Sequence, residues 1–150
     1  MSLSRVTHVT AIHLILCDSY VGYLAVNDDR DILELLKAEL AFLKKGGYRN
    51  GQRYPWRPNF AFEDSPTCLH YHEGSQSRPC TECALIQFVP GDRQSTRYPC
   101  RHIPLTTQGE TVNSFYEWGT EEELEKALEA WLKRKIDELE SETKRKSCGA

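Results

Sequence analysis

A chain of 150 residues that is 39% hydrophobic and 27% charged has the make-up of one globular domain with its own core. Its formal net charge of −3 is too small to imply a strongly acidic or basic partner. The longest apolar run, VTHVTAIHLILC, is short and broken by His8 and His13, which argues against a membrane span, and it lacks the basic start and small-residue cleavage site of a signal peptide.

A cytoplasmic protein with no membrane partner is therefore expected. Thiols stay reduced there, so six cysteines read as metal ligands or reactive thiols before they read as disulfides.

Within one domain, composition separates an N-terminal helical part (1–47), a cysteine- and proline-rich part (48–119), a C-terminal helix (120–146) and a frayed tail (147–150). In the first part, RVTHVTAIHLIL fits a strand or a buried helix equally, and Cys17 reads as a buried free thiol. DILELLKAELAFLKK is clearer. Ile32, Leu35, Leu36, Leu40 and Leu43 recur at helical spacing, with Glu39 among them. Asp28 and Asp29 are placed to cap this helix, and Lys44, Lys45, Gly46 and Gly47 to end it.

All seven prolines fall in residues 48–119, which forbids long helices there. The seven bases of this part are all arginine, whose planar fork suits carboxylates, phosphates and aromatic faces. YRNGQRYPWRPNF interleaves arginines with rings and has no acid. It marks Arg49, Arg53, Tyr54, Trp56 and Arg57 as a partner-binding surface. Stacking rings beside arginines suit single-stranded nucleic acid, and the same residue types dominate protein hot spots. The slightly acidic chain favours a protein partner over nucleic acid. The structural alternative puts Trp56 and Phe60 in the core and pairs the arginines with the acids of FEDSP.

The stretch CLHYHEGSQSRPCTEC carries the strongest chemical signal. Cys80 and Cys83 have the two-residue spacing that turns both sulfurs onto one ion. Cys68 before them and Cys100 after them complete the four thiolates of a tetrahedral zinc site. ALIQFV and TRYPCRHI read as two strands of a hairpin turning at residues 90 to 96, which would set Cys100 beside Cys83. The prolines at 90 and 99 weaken that pairing. His70, His72 and His102 are reserve ligands, since side chains two apart share a face of an extended segment. A four-cysteine site needs the fewest assumptions. The same set suits an iron–sulfur cluster. The zinc deaminase pattern is approached by Pro79, Cys80 and Cys83 after His72 and Glu73, but the spacing departs from it.

The last helix opens on Thr120 and Glu123, the spacing of a capping box. Leu124, Leu128, Trp131, Leu132, Ile136 and Leu139 form one apolar face, which packs on the domain and leaves room for a homodimer contact further along. Cys148, in the tail, is not a site residue.

These elements make an α+β fold, two amphipathic helices flanking a loop-rich, metal-stapled β-hairpin core. The expected function is a small zinc-stabilised binding or regulatory module for a protein or nucleic-acid partner. An iron–sulfur redox or sensor protein is the alternative, a metal-dependent hydrolase the second, and an enzyme is not favoured.

Overall fold

The computed structural model of the chain describes residues 28–71 and 78–148. The expectations for RVTHVTAIHLIL, Cys17 and His72 lie outside the described residues. Among the described residues three α-helices carry the fold: α1 (Ile32–Lys44), α2 (Val112–Trp118) and α3 (Glu121–Cys148). Between α1 and α2 the described residues include four short 3-10 turns, Cys80–Glu82, Ala84–Phe88, Gly91–Arg93 and Pro99–His102. Helix α3 packs against α1 and α2, and α2 also packs on the Pro99–His102 turn.

Helix accounts for 54% of the described residues, and no strand occurs among them. The α+β expectation is therefore overturned: the fold is helical, and the β-hairpin is absent. Both stretches read as strands close their backbone bonds locally instead. The Ile86 N–H donates to the Cys83 carbonyl at 2.9 Å, the Val89 N–H to Ile86 at 3.0 Å and the Ile103 N–H to Cys100 at 3.2 Å. Pro90 and Pro99 bring no N–H to a ladder at either end. The Ala84–Phe88 and Pro99–His102 turns still pack together, through side chains. Sheet-like pairing among the described residues is limited to one bridge, Pro104 with Thr111.

Helix α1 starts at a different aspartate from those expected. Asp31 is the cap, accepting the Glu34 N–H at 3.0 Å. Gly46, at φ +72°, turns the chain out of the helix, as a left-handed C-terminal residue does. Helix α2 was not foreseen. Its start is a capping box between Thr111 and Ser114, a serine standing where glutamate or glutamine is usual. At α3 the Thr120–Glu123 box forms, with the Glu123 N–H on Thr120 Oγ1 at 3.2 Å and the Thr120 N–H on Glu123 Oε2 at 2.8 Å. The helix continues through Cys148, into the tail expected to fray.

The core centres on Trp131, whose ring meets Phe88 at 5.1 Å and Phe62 at 5.9 Å, both edge-on. Leu36, Ile103, Leu105, Val112, Leu128 and Leu132 close around it. Phe62 reaches this core from a left-handed backbone, φ 63°, which costs a bulky residue on the order of 1–3 kcal/mol. The Tyr48 hydroxyl holds that turn by accepting the Phe62 N–H at 2.8 Å.

Glu39, on the apolar stripe of α1, is 1% exposed. It accepts bonds from the hydroxyls of Tyr48, Ser65 (2.6 Å) and Thr67. Three hydroxyls and no cation thus tie α1 to residues 48–67. Burial pushes the Glu39 carboxyl above its ordinary value, and the hydroxyl bonds offset this in part. Below the unfolded-state value both states hold the proton and burial of the group adds no charge cost. As pH rises through the folded value, that cost develops in full. Glu39→Gln is therefore expected to gain melting temperature on the parent between pH 4.5 and pH 8.5, and Glu39→Leu to lose about 1–3 kcal/mol for each hydroxyl left without an acceptor. Thermal unfolding followed by circular dichroism checks both. A parent–Gln difference that does not change with pH would show that Glu39 does not titrate in this range.

Candidate metal centre

Tight turns position the cysteines. Cys68 sits between two of them, its N–H on the Ser65 carbonyl at 3.0 Å and its own carbonyl on the Tyr71 N–H at 3.1 Å. Cys80 and Cys83 are closed into one turn by the Cys83 N–H on the Cys80 carbonyl at 3.1 Å. Cys100 heads a third turn. All four line a single void of about 30 Å³, with Phe62, Leu85, Val89 and Pro99 as apolar walls. That is room for on the order of one or two waters.

The four thiols lie within electrostatic reach of one another. Cys100 is pushed well above the ordinary thiol range by burial first, then by Glu63 and by the sulfurs of Cys68, Cys83 and Cys80. Burial raises Cys83 to about 11, although the Leu85 N–H on its sulfur works the other way. Burial likewise raises Cys68, against the His70 N–H on its sulfur, and raises Cys80 with help from Glu63. Partly buried thiols held protonated in this way are poor nucleophiles at neutral pH. A bound cation inverts that balance by taking the thiolate form. As the side chains stand, no three histidines, cysteines, aspartates or glutamates among the described residues form a group that could hold a metal ion. The backbone brings the sulfurs to one void, and ligation requires them to rotate onto one point within it.

Charged side chains surround the void. The Arg30 guanidinium is within electrostatic reach of Cys83 and Cys68, Arg53 of Cys68, and Arg101 of Cys100. Glu63 faces the same sulfurs and is held by Arg101. Asp28 works as a clamp. Its carboxylate accepts the Ala84 N–H at 2.9 Å and a forked pair of bonds from Arg30 at 2.8 and 2.7 Å. Arg30 also reaches the Pro66 carbonyl at 3.4 Å. The segment before α1 thereby fixes the exit from the Cys80–Cys83 turn and the approach to Cys68.

The histidines are less committed to the void. His70 lines it, but its Nε2 is 2.7 Å from the Arg78 carbonyl. His102 ends the Pro99–His102 turn and does not line the void. In the arginine–aromatic segment, every arginine has an internal partner. Arg49 pairs with Glu125 at 2.8 Å, and Arg57 forks onto Asp64 beneath the Phe60 ring. Arg53 lies over the Tyr71 ring at 4.2 Å and bonds the His70 and Tyr71 carbonyls. Tyr54 packs on Trp56 at 5.1 Å, and Trp56 is 77% exposed, outside the core. Asp28, Arg30, Glu63 and Arg101 were missed by sequence reasoning. Their contacts span up to 56 residues, and no local pattern announces them.

Comparison with known proteins gives no matching family model, no matching curated protein and no matching solved structure. No helix among the described residues is long and apolar enough to cross a membrane.

Burial alone would raise the Asp28 carboxyl, but the bonds from Arg30 and the Ala84 N–H outweigh it and hold the group below its ordinary value. A depressed carboxylate stabilises the fold above its unfolded value and loses that contribution as pH falls through the folded value. Asp28→Asn is expected to cost about 1.5–3 kcal/mol at pH 7, the range for hydrogen bonds to a charged group, and clearly less near pH 3. Urea unfolding of both proteins at the two pH values measures it, and an equal cost at both would remove the carboxylate from the clamp.

Proposed function

We propose that Cys68, Cys80, Cys83 and Cys100 hold one structural zinc ion, and that the stapled region presents a surface to a protein partner. The observation that supports this most is the convergence of four thiols, from three separate turns, on one atom-sized void. Four cysteines at about 2.3 Å from zinc close its tetrahedral shell and leave no position for a substrate. Such a site carries net negative charge, which Arg53 is near enough to offset in part, Arg30 and Arg101 being already paired with Asp28 and Glu63. A void of about 30 Å³ suits a single ion better than a cluster of irons and sulfides. A protein partner is preferred to nucleic acid because Arg49, Arg53 and Arg57 already serve carboxylates and carbonyls. Phosphate contact would have to break those bonds, whereas Trp56 stands free for an interface.

Elemental analysis of protein purified without oxygen is expected to find about one zinc per chain and no visible colour. Removing zinc with a strong chelator should lower the melting temperature, by an amount that grows with the zinc otherwise present. Cys→Ser at 68, 80, 83 or 100 should each abolish stoichiometric zinc. Iron with sulfide and a broad visible band would move the same four residues to the cluster reading. A folded, metal-free chain indifferent to chelator would overturn both.

A further inference from the structure

A second cavity, of about 280 Å³, opens between residues 58–61 and the junction of α2 with α3. Ala61, Leu124 and Leu128 are buried at its floor, and the rings of Phe60, Phe115 and Tyr116 form its sides. Its lip is exposed, at Pro58, Gly119, Thr120 and Glu121. An apolar cavity of about 150 Å³ already admits a benzene ring, so this one has room for a bulky apolar side chain. Two large exposed aromatics neighbour lip residues in the sequence. Trp118, 87% exposed, adjoins Gly119, and Trp56 lies two residues from Pro58.

Charge singles out the occupant. Residues 112–125 contain five glutamates and no base. Arg49 and Lys126 pair with Glu125 and Glu122, and Glu123 is spent on the α3 cap. Glu121 on the lip and Glu117, two residues before Gly119 in the chain, add negative charge at this end next to the exposed Trp118. Arg49, already paired with Glu125, is the base within electrostatic reach of Glu121. Carboxylates and indole faces both attract lysine and arginine.

We propose that this cleft docks a basic segment of a partner protein. One bulky apolar side chain of the segment enters between Phe60, Phe115 and Tyr116. Flanking lysines or arginines meet Glu117, Glu121 and the indole of Trp118. The inference rests on the chain being a protein-binding module and does not require the zinc ion.

Amide NMR titration of the full chain with three eight-residue peptides tests it. The first carries four lysines around a central phenylalanine–leucine pair, the second has glutamates for the lysines, and the third has serines for the apolar pair. The first peptide is expected to shift the amides of Ala61, Gly119, Thr120 and Glu125, and to bind at least tenfold more tightly than the other two. Trp118→Ala and Glu121→Lys, both at exposed positions, should each weaken it threefold or more with the spectrum otherwise unchanged. No binding, equal binding of all three peptides, shifts that map elsewhere, or full affinity in both variants would overturn the proposal. Zinc content measured on the same samples separates the two readings. A zinc-free chain that binds the first peptide sinks the staple alone, and a zinc-loaded chain that ignores it sinks the docking site alone.

Discussion

Between α1 and α2 the described backbone crosses a hydrophobic core without a sheet, so its N–H and C=O groups must be met by short turns and by side chains. Buried backbone groups left unpaired cost as much as lost hydrogen bonds, and this sets the character of the middle of the chain. Asp64 Oδ2 accepts the Phe60 N–H at 2.7 Å, the Tyr116 hydroxyl accepts the Ala61 N–H at 2.7 Å, and Asp28 accepts that of Ala84. From the donor side, Asn59 bonds the Tyr48 and Gly51 carbonyls, Gln94 those of Ile86 and Val89, and Arg134 that of Leu105. A ladder would have made these bonds between backbones. Here each is made by a particular residue type at a particular place.

The same constraint accounts for the polar residues inside. Asp28, Glu39, Asp64, Ser65 and Thr67 are all buried, and each has a hydrogen-bond partner. It also accounts for arginine at positions 57 and 101. A guanidinium can fork onto a carboxylate and stack on a ring at once, as Arg57 does between Asp64 and Phe60, and as Arg101 does between Glu63 and the rings of Phe60 and Tyr98. Lysine offers a point charge and neither geometry. Arg49, Arg53 and Arg57, marked by the sequence as a partner surface, thus also bond carboxylates and carbonyls of the chain itself.

How much of this was legible depended on distance along the chain. The stripes of α1 and α3 and the Thr120–Glu123 cap depend on residues three or four apart, and periodicity shows them directly. Helix α2 escaped because its seven residues are too short to build a pattern and its cap uses Ser114 instead of an acid. ALIQFV was mistaken for a strand because apolar runs of that length do not distinguish a strand from a buried 3-10 turn. The decisive contacts are backbone bonds three residues apart, which composition does not encode. For the site, the spacing of Cys80 and Cys83 pointed to one turn, and Cys68 and Cys100 were added by count and by a hairpin that the described residues do not form. The clamp of Asp28 and Arg30, and the facing pair of Glu63 and Arg101, depend on tertiary contacts that no single-chain pattern carries.

The thiol void and the acidic cleft share one piece of chain. Phe62 is a wall of the first, and Tyr48, Phe60 and Ala61 belong to the second. Between these two uses the backbone passes through the left-handed turn at Phe62, held by the Tyr48 hydroxyl that also serves Glu39. A loop that forms half of a binding cleft must be ordered before or during binding, and fixing each residue costs on the order of 1–2 kcal/mol. Anchoring this loop at Tyr48, Ser65 and Thr67 through Glu39, and at Cys68 through a metal, would remove that cost from the binding step. On the proposed reading the staple and the cleft would belong to one design: a metal on the thiols would hold still the wall against which a partner side chain would be pressed.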